Sequence, residues 1–233
     1  MSNKRAGKAP VPVHHLLKSE MIWLFTHKCK AHNNSYASHY ACFLAEKPDS
    51  SPFQEKQGIF DIETTGLKAN WSHMLCWCMK EVDSDVLQYD LITKKEVRDK
   101  NDKRIIKSCV EEIRKYDRTM GWYSSRFDIP YVRCRAEYHG ISFPTYKEAL
   151  HTDLYYIARS KLALHSNRLG SVCQFFGIES KNHPMNPDLW MRAGRGDKDA
   201  LEEVLTHCKE DVKSTDMCRE LLTKYSAATK RSI

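Results

Sequence analysis

The sequence predicts an α/β domain, a mixed sheet flanked by helices, with a small module rich in cysteine and histidine before it. Three apolar segments of strand length, 58–62, 74–79 and 86–92, follow one another with polar turns between them, which indicates an antiparallel meander. Helical periodicity begins after residue 102. Cysteine, histidine and aromatic residues concentrate in 21–46. These observations favour one medium α/β domain with an N-terminal appendage.

The later elements are predicted from helical spacing and from residues that start and stop helices. The segment 102–116 carries apolar residues at helical spacing, which predicts an amphipathic helix, and a further short strand is expected at 120–123. Three more helices are expected: Pro130 to Gly140, Ser166 or Asn167 to Gly177, and Asp197 to about Lys224.

The composition indicates a folded chain with a negatively charged partner. Of the 233 residues, 41% are hydrophobic and 29% are charged, which excludes a wholly disordered or collagen-like protein. Lysine and arginine number 37 against 30 aspartate and glutamate residues, and this surplus favours nucleic acid as the partner. We expect a flexible basic arm at 1–20, the cysteine and histidine module with its linker at 21–52, the α/β domain at 53–225 and a flexible tail at 226–233.

Membrane insertion and secretion are not expected. No apolar run approaches the ~18 residues that span a bilayer, and the basic segment 1–10 lacks the apolar region of a signal peptide. The nine cysteines are odd in number, and several lie among apolar residues, as small core side chains do. A reducing, intracellular location in the cytoplasm is therefore predicted.

The segment with the most chemical information joins a strand to a tight turn. Side chains alternate along a strand, so Asp61 and Glu63 share one face while Phe60 and Ile62 point to the other. Adjacent carboxylates repel each other unless water or a hard cation offsets their charge. The pair is therefore either a divalent metal site or a solvated face.

Two other segments carry acidic residues with more than one interpretation. Asp128 precedes the predicted helix at Pro130, where it could be no more than an N-terminal cap. His207 and Asp211 stand four residues apart and share one face of the last helix. Such a pair is a surface pair, a metal pair, or a base beside a metal carboxylate.

In order and separation, these segments resemble the DEDD (DnaQ-like) superfamily of 3′-to-5′ exonucleases, whose fold is RNase H-like. The resemblance covers about 57–225, with 60–67, 123–133 and 207–212 similar to the three exonuclease motifs of the family. The likeness is greatest to predicted exonucleases of viral, phage and microbial genomes related to polymerase proofreading domains. It implies an exonuclease domain at 53–225 that hydrolyses terminal phosphodiesters of single-stranded DNA or RNA at 3′ ends.

The resemblance also implies roles for particular residues. Asp61, Glu63, Asp128 and Asp211 would bind two Mg²⁺ or Mn²⁺ ions, and His207 would be the general base. Some relatives have tyrosine in place of His207, and many have an asparagine shortly before the aspartate of the second motif. The turn that would receive the last nucleotide, or else be an ordinary hairpin or bulge, consists of Thr64, Thr65, Gly66 and Leu67.

Two other functions remain open from the sequence. One is a catalytically silent nucleic-acid-binding or adaptor protein with the same fold, although a phosphate-binding surface would not need clustered negative charge. The other is a structure-selective endonuclease. No residue identifies a replication or repair partner.

The N-terminal module carries two close pairs of zinc-ligand residue types. Cys29 and His32 form one pair, His39 and Cys42 the other, and this spacing is compatible with a structural Cys₂His₂ zinc site. His27 could replace one of the ligands. The alternative places Cys42 in a small strand and the histidines in a polar loop.

Overall fold

A computed structural model describes residues 18–46, 55–179, 186–226 and 233. The chain divides into two compact units between Lys56 and Gln57. The predicted linker at 47–52 and most of the predicted arm and tail lie outside the described residues. No helix in the described ranges is both long and apolar enough to cross a membrane.

In its described range, 18–46, the N-terminal unit consists of two helices and the loop between them. Helix α1 spans Lys18–Thr26 and helix α2 spans Tyr40–Glu46. A bridge between Lys28 and Ser35 closes the loop. Helix α1 begins inside the segment predicted to be an unfolded arm. Helix α2 stands where the alternative placed a small strand around Cys42, so that strand is wrong, whereas His32 and His39 do lie in the loop.

The second unit is built on a five-stranded sheet in the order β3-β2-β1-β4-β5. Strands β1, β2 and β3 form the predicted antiparallel meander, while β4 and β5 run parallel to β1. The strands are β1 Gln57–Thr64, β2 Met74–Glu81, β3 Leu87–Leu91, β4 Arg118–Gly121 and β5 Leu150–Asp153. This mixed sheet confirms the predicted fold class.

Helices of this unit cover the sheet. They are α3 Lys94–Arg98, α4 Lys103–Ile113, α5 Asp128–Tyr138, α6 Leu154–Lys161, α7 Leu169–Phe176, α8 Pro187–Ala193 and α9 Lys198–Leu222. The predicted amphipathic helix is α4, which buries the predicted apolar set, and α9 begins at its predicted cap, with Asp197 accepting a hydrogen bond from the Ala200 amide. Gly177 ends α7 with φ of 68°, as expected for a left-handed helix stop.

The central strand β1 separates the two faces of the unit. Ile62 pairs with Trp77 of β2, and Trp77 Nε1 donates to Ser108 Oγ of α4, so this face of the strand packs on α4. Asp61 alternates to the other face, and the Cys208 thiol of α9 donates to its carbonyl oxygen at 3.5 Å. The alternation predicted from the sequence is therefore present, with the carboxylates on the α9 side.

A buried ion pair joins β2, α4 and α5. The fully buried Asp102 accepts hydrogen bonds from Arg135 Nε at 3.0 Å and from the Met74 amide at 3.0 Å, and it lies 2.6 Å from His139 Nε2. Burial opposes ionisation of Asp102, but the hydrogen bonds from Arg135 and His139 outweigh it and lower the pKa of this carboxyl below 3.8.

Two local predictions need correction. Neither Ser166 nor Asn167 caps α7, because Ser166 Oγ accepts from the Arg168 amide and forms a turn one step before the helix, leaving Arg168 as the cap residue. The last residue of the predicted tail, Ile233, donates its amide to the Ala149 carbonyl at 3.1 Å.

Candidate active site

The five residues predicted to be catalytic come from strand β1 and from helices α5 and α9, which meet beside that strand. Asp61 and Glu63 project from β1, Asp128 is the first residue of α5, and His207 and Asp211 lie one turn apart on α9. His207 Nε2 is 3.7 Å from Glu63 Oε1 and 3.6 Å from Asp211 Oδ2. The structure thus brings all five into one cluster.

Asp128 is fixed by the sheet itself. Strand β4 pairs with β1 from Gln57 to Ile59, so Ile62 lies beyond the residues of β1 that pair with β4. Asp128 Oδ1 accepts the Ile62 amide hydrogen at 3.1 Å, which satisfies a buried backbone donor. Phe127 rather than Asp128 is the cap residue of α5, and no side chain caps this helix, so the helix-cap alternative considered from the sequence is wrong.

The carboxylates are held in an environment that disfavours their charge. Burial raises the pKa of Asp61 well above 3.8, and the charges of Asp128 and Glu63 raise it further. Burial likewise raises the pKa of Glu63 well above 4.5 and that of Asp128 to about 7. Burial also raises the pKa of Asp211, against the opposing charge of His207.

The donor set fits divalent cations. Within the part of the chain that the structure describes, no lysine or arginine forms an ion pair with Asp61, Glu63, Asp128 or Asp211. Ligand atoms of Glu63, His207 and Asp211 lie within 4.8 Å of one another. Carboxylate oxygens without a cationic side chain are the ligands that hard cations such as Mg²⁺ and Mn²⁺ prefer.

A further aspartate, which the sequence did not single out, orders the segment before Asp128. Asp153, at the end of β5, accepts hydrogen bonds from the Tyr123 amide at 2.9 Å, the Ser125 amide at 3.0 Å and the Ser125 hydroxyl at 2.6 Å. Tyr123 adopts φ of 61°, a conformation uncommon outside glycine and asparagine. Asp153 therefore holds a strained turn in place.

Close backbone approach at Gly121 makes this turn possible. A Cβ atom at Gly121 would lie 2.5 Å from Ser124 Oγ and 2.8 Å from the Phe60 carbonyl oxygen. Any other residue would push the turn away from β1. Ser124 is also bonded to the buried His151, at 2.9 Å from its Nε2.

An open cleft of about 490 Å³ leads to the carboxylates. Asp61, Glu63 and Asp128 line it together with Trp122 and Tyr123. Leu67, 79% exposed, stands among the lining residues.

The predicted nucleotide-binding turn is a bulged hairpin connection between β1 and β2. The Thr64 hydroxyl donates to the Gly66 carbonyl at 2.8 Å, and the Thr65 amide donates to the His73 carbonyl at 3.0 Å. These groups stabilise the turn. Of the four predicted residues, Leu67 is the one that lines the cleft.

With the fold and the site described, comparison with known families becomes informative. A family model of the RNase H superfamily matches residues 59–223. The chain belongs to the RNase H superfamily. The match extends from β1 to the 3₁₀ turn after α9 and so includes the whole carboxylate cluster.

This RNase H superfamily chain is similar to parts of two DNA polymerases. A DNA polymerase of Methanocaldococcus jannaschii is 29% identical over 136 residues, which cover 49% of this chain and 8% of the polymerase. The family B DNA polymerase of Pyrobaculum calidifontis superimposes with a TM-score of 0.59 at 19% identity, covering 72% of this chain and 24% of that one.

Escherichia coli Exonuclease I, solved in complex with a dT13 oligonucleotide, gives a TM-score of 0.51 at 16% identity, covering 73% of this chain and 41% of that one. The chain thus spans less than half the length of each of these proteins. At such identities the solved structures establish the fold, and they confirm the RNase H-like architecture expected from the DEDD resemblance.

Proposed function

We propose that this RNase H superfamily member is a metal-dependent nuclease that removes nucleotides from the 3′ ends of single-stranded nucleic acid. The observation that carries the proposal is the convergence of four mostly buried carboxylates and one histidine, with no lysine or arginine of the described residues in an ion pair with those carboxylates. Burying uncompensated charge is costly for folding, so a binding role for the cluster is a better explanation than a structural one.

Asp61, Glu63, Asp128 and Asp211 would hold the cations. When bound, Mg²⁺ or Mn²⁺ would supply stabilisation of the negative charge that develops on the phosphate and on the leaving oxygen. The protein contributes rigidity. Asp61 and Glu63 are placed by the central strand, and Asp128 by its hydrogen bond to the Ile62 amide, so these ligands are oriented before any cation binds.

His207 is the residue suited to proton transfer. Its imidazole is partly exposed, and its Nε2 lies between the carboxylates of Glu63 and Asp211. In the neutral form, Nε2 accepts a proton from the attacking water, and the two carboxylates stabilise the imidazolium that results. Histidine at this position performs the task that tyrosine has in some relatives.

Substrate would enter through the open cleft. Leu67 and Tyr123 present apolar surface on its lining, and bases of any sequence stack on such side chains. The 3′ direction is supported by the three ordered motifs of the DEDD resemblance. Single-stranded DNA as substrate is supported by the oligonucleotide complex of Exonuclease I, to which this chain is similar in fold.

The experiment is digestion of single-stranded DNA and RNA, labelled in separate samples at the 5′ and the 3′ end, with Mg²⁺ or Mn²⁺. The wild type should shorten 5′-labelled strands in single-nucleotide steps from the 3′ end. Asp61→Asn, Glu63→Gln and Asp211→Asn should remove nearly all activity. His207→Ala should lower turnover by ~10² to 10⁴, the usual contribution of a positioned base.

Glu111→Gln is the matched control, because Glu111 is an exposed carboxylate of α4. Full turnover in any two of the three carboxylate variants would exclude the assignment. Internal cuts without terminal shortening would indicate the endonuclease, and binding without hydrolysis under either metal would indicate the silent nucleic-acid-binding protein.

A further inference from the structure

The N-terminal unit contains a second cluster of metal-ligand side chains, unrelated in chemistry to the carboxylates. One ligand atom from each of Cys29, His32, His39 and Cys42 lies within 4.8 Å of the other three. Cys29 Sγ is 3.8 Å from His32 Nδ1 and 3.9 Å from His39 Nδ1, and Cys42 Sγ is 3.4 Å from His32 Nδ1. Four ligand atoms therefore face a common point.

These separations match a tetrahedral site. With zinc–sulfur bonds of about 2.3 Å and zinc–nitrogen bonds of about 2.0 Å, a sulfur and a nitrogen on one zinc ion lie roughly 3.6 Å apart. The measured sulfur–nitrogen distances of 3.4 to 3.9 Å bracket this value. A thiol offers one weak donor, so pairwise hydrogen bonds do not explain why both sulfurs approach the same His32 nitrogen.

The backbone presents each pair of ligands through a tight local turn. In the first pair, the Cys29 carbonyl accepts from the Asn33 amide at 3.0 Å, and the Cys29 amide donates to the Asn34 carbonyl at 2.9 Å. In the second pair, the Cys42 amide donates to the His39 carbonyl at 2.9 Å, across the first turn of α2. Both turns direct two side chains to the same side.

Neighbouring polar groups stabilise this arrangement. The Asn34 side-chain nitrogen Nδ2 lies 3.1 Å from His39 Nε2, and this contact orients the imidazole whose Nδ1 faces the two sulfurs. Glu46, at the end of α2, accepts the Tyr36 hydroxyl at 2.7 Å and the Lys30 amide at 3.2 Å. Glu46 thus joins helix α2, which carries Cys42, to the loop in which Cys29 and His32 lie.

We propose that Cys29, His32, His39 and Cys42 bind one zinc ion and that this ion stabilises the fold of the N-terminal unit. The described part of this unit, 18–46, has a small apolar core. Its buried hydrophobic residues are Trp23, Leu24, Cys29 and Tyr36. A core of this size is usually supplemented by a metal, a disulfide or a partner chain.

His27 is not a member of the site. Its Nδ1 lies 3.1 Å from the Trp23 carbonyl oxygen, and its ring stacks on the Trp23 indole with 4.4 Å between ring centroids. Two thiolates and two imidazoles select zinc over the hard cations suited to the carboxylates. The proposal is therefore independent of the proposed nuclease activity.

The first experiment is elemental analysis of the full-length protein, purified under reducing conditions and stripped of weakly bound ions. We expect about one zinc per chain in the wild type, and loss of that zinc in Cys29→Ser and Cys42→Ser. Cys134→Ser is the matched control, because Cys134 is an exposed free thiol in the other unit, and it should retain the zinc.

Variants that lose metal can also lose their fold, so a second measurement leaves the four ligands intact. Cobalt(II) added to metal-free wild type and to Cys134→Ser should give thiolate-to-cobalt charge-transfer absorption and the intense visible bands of tetrahedral cobalt. Zinc should displace the cobalt and protect amides of 18–46 from hydrogen exchange.

Three results would overturn the proposal. The first is a reduced wild-type protein that takes up no zinc and gives no charge-transfer band with cobalt. The second is unchanged zinc content in both Cys29→Ser and Cys42→Ser. The third is a mass two hydrogens short of the reduced chain because Cys29 and Cys42 are joined in a disulfide.

Discussion

Removing the charge of Asp128 should stabilise the metal-free protein. Burial raises the pKa of this carboxyl from 3.8 to about 7, so between these values the folded protein keeps a proton that the unfolded chain has lost. Stability then falls as pH rises. The difference of about 3 pKa units, at 1.36 kcal/mol per unit, corresponds to about 4 kcal/mol above neutral pH.

Asparagine at this position is uncharged and similar in shape. Its amide oxygen can still accept the Ile62 amide hydrogen, now bound by Asp128 Oδ1 at 3.1 Å. Its NH₂ group introduces a buried donor, which costs about 1–3 kcal/mol if unpaired. We therefore expect Asp128→Asn to be more stable than wild type by about 1–3 kcal/mol above neutral pH in a chelator, and to lose this advantage at about pH 4.

The assay is urea denaturation of wild type and Asp128→Asn at about pH 8 and at about pH 4, each in a chelator. Added Mg²⁺ at the higher pH should then raise the wild-type midpoint more than that of the variant, because a ligand that binds only the folded state stabilises it. Glu111→Gln is again the control for loss of one exposed negative charge. A variant less stable than wild type in the chelator at about pH 8, or a difference that does not change with pH, would refute the reasoning.

Two further substitutions test the framework around the site. Asp102→Asn should cost about 3–5 kcal/mol of unfolding free energy, because it leaves Arg135 buried without its carboxylate. Since the pKa of Asp102 is lowered in the fold, the stabilisation by its ionised carboxylate is present above the unfolded pKa of about 3.9 and is lost as pH falls. Urea midpoints of wild type and variant across acidic pH measure this loss. A pH dependence shared by wild type and variant would contradict the assignment. Gly121→Ala should lower the free energy of unfolding by about 1–3 kcal/mol and reduce turnover, because the added Cβ would overlap the Phe60 carbonyl and Ser124. A variant with wild-type stability and turnover would show that the turn can shift freely.

The parts of the fold that could be predicted from the sequence are those whose signal is local. Three apolar segments predict the meander, and apolar residues at helical spacing predict α4. The carboxylates of β1 follow from strand alternation alone. Their proximity to His207 and Asp211 depends on the packing of α9. The DEDD resemblance predicted this proximity, and no local pattern did.

The elements that could not be predicted depend on tertiary partners. Strand β5 contains histidine, threonine and aspartate, and it is a strand because it pairs with β4. His151 is buried between Thr119 and Ser124, each 2.9 Å from one of its ring nitrogens. Asp153 resembles an ordinary helix cap in sequence, and it does accept the Tyr155 amide. Its bonds to the turn before Asp128 become visible only in three dimensions.

The hydrogen bond between Asp128 and the Ile62 amide affects how variants of this residue should be interpreted. One carboxylate oxygen accepts the Ile62 amide of β1, and the same side chain lines the cleft beside Asp61 and Glu63, so Asp128 serves architecture as well as the proposed chemistry. Alanine removes both oxygens at once and confounds the two. Asparagine removes the charge but keeps an oxygen for the Ile62 amide, so comparing it with alanine separates missing chemistry from a loosened strand.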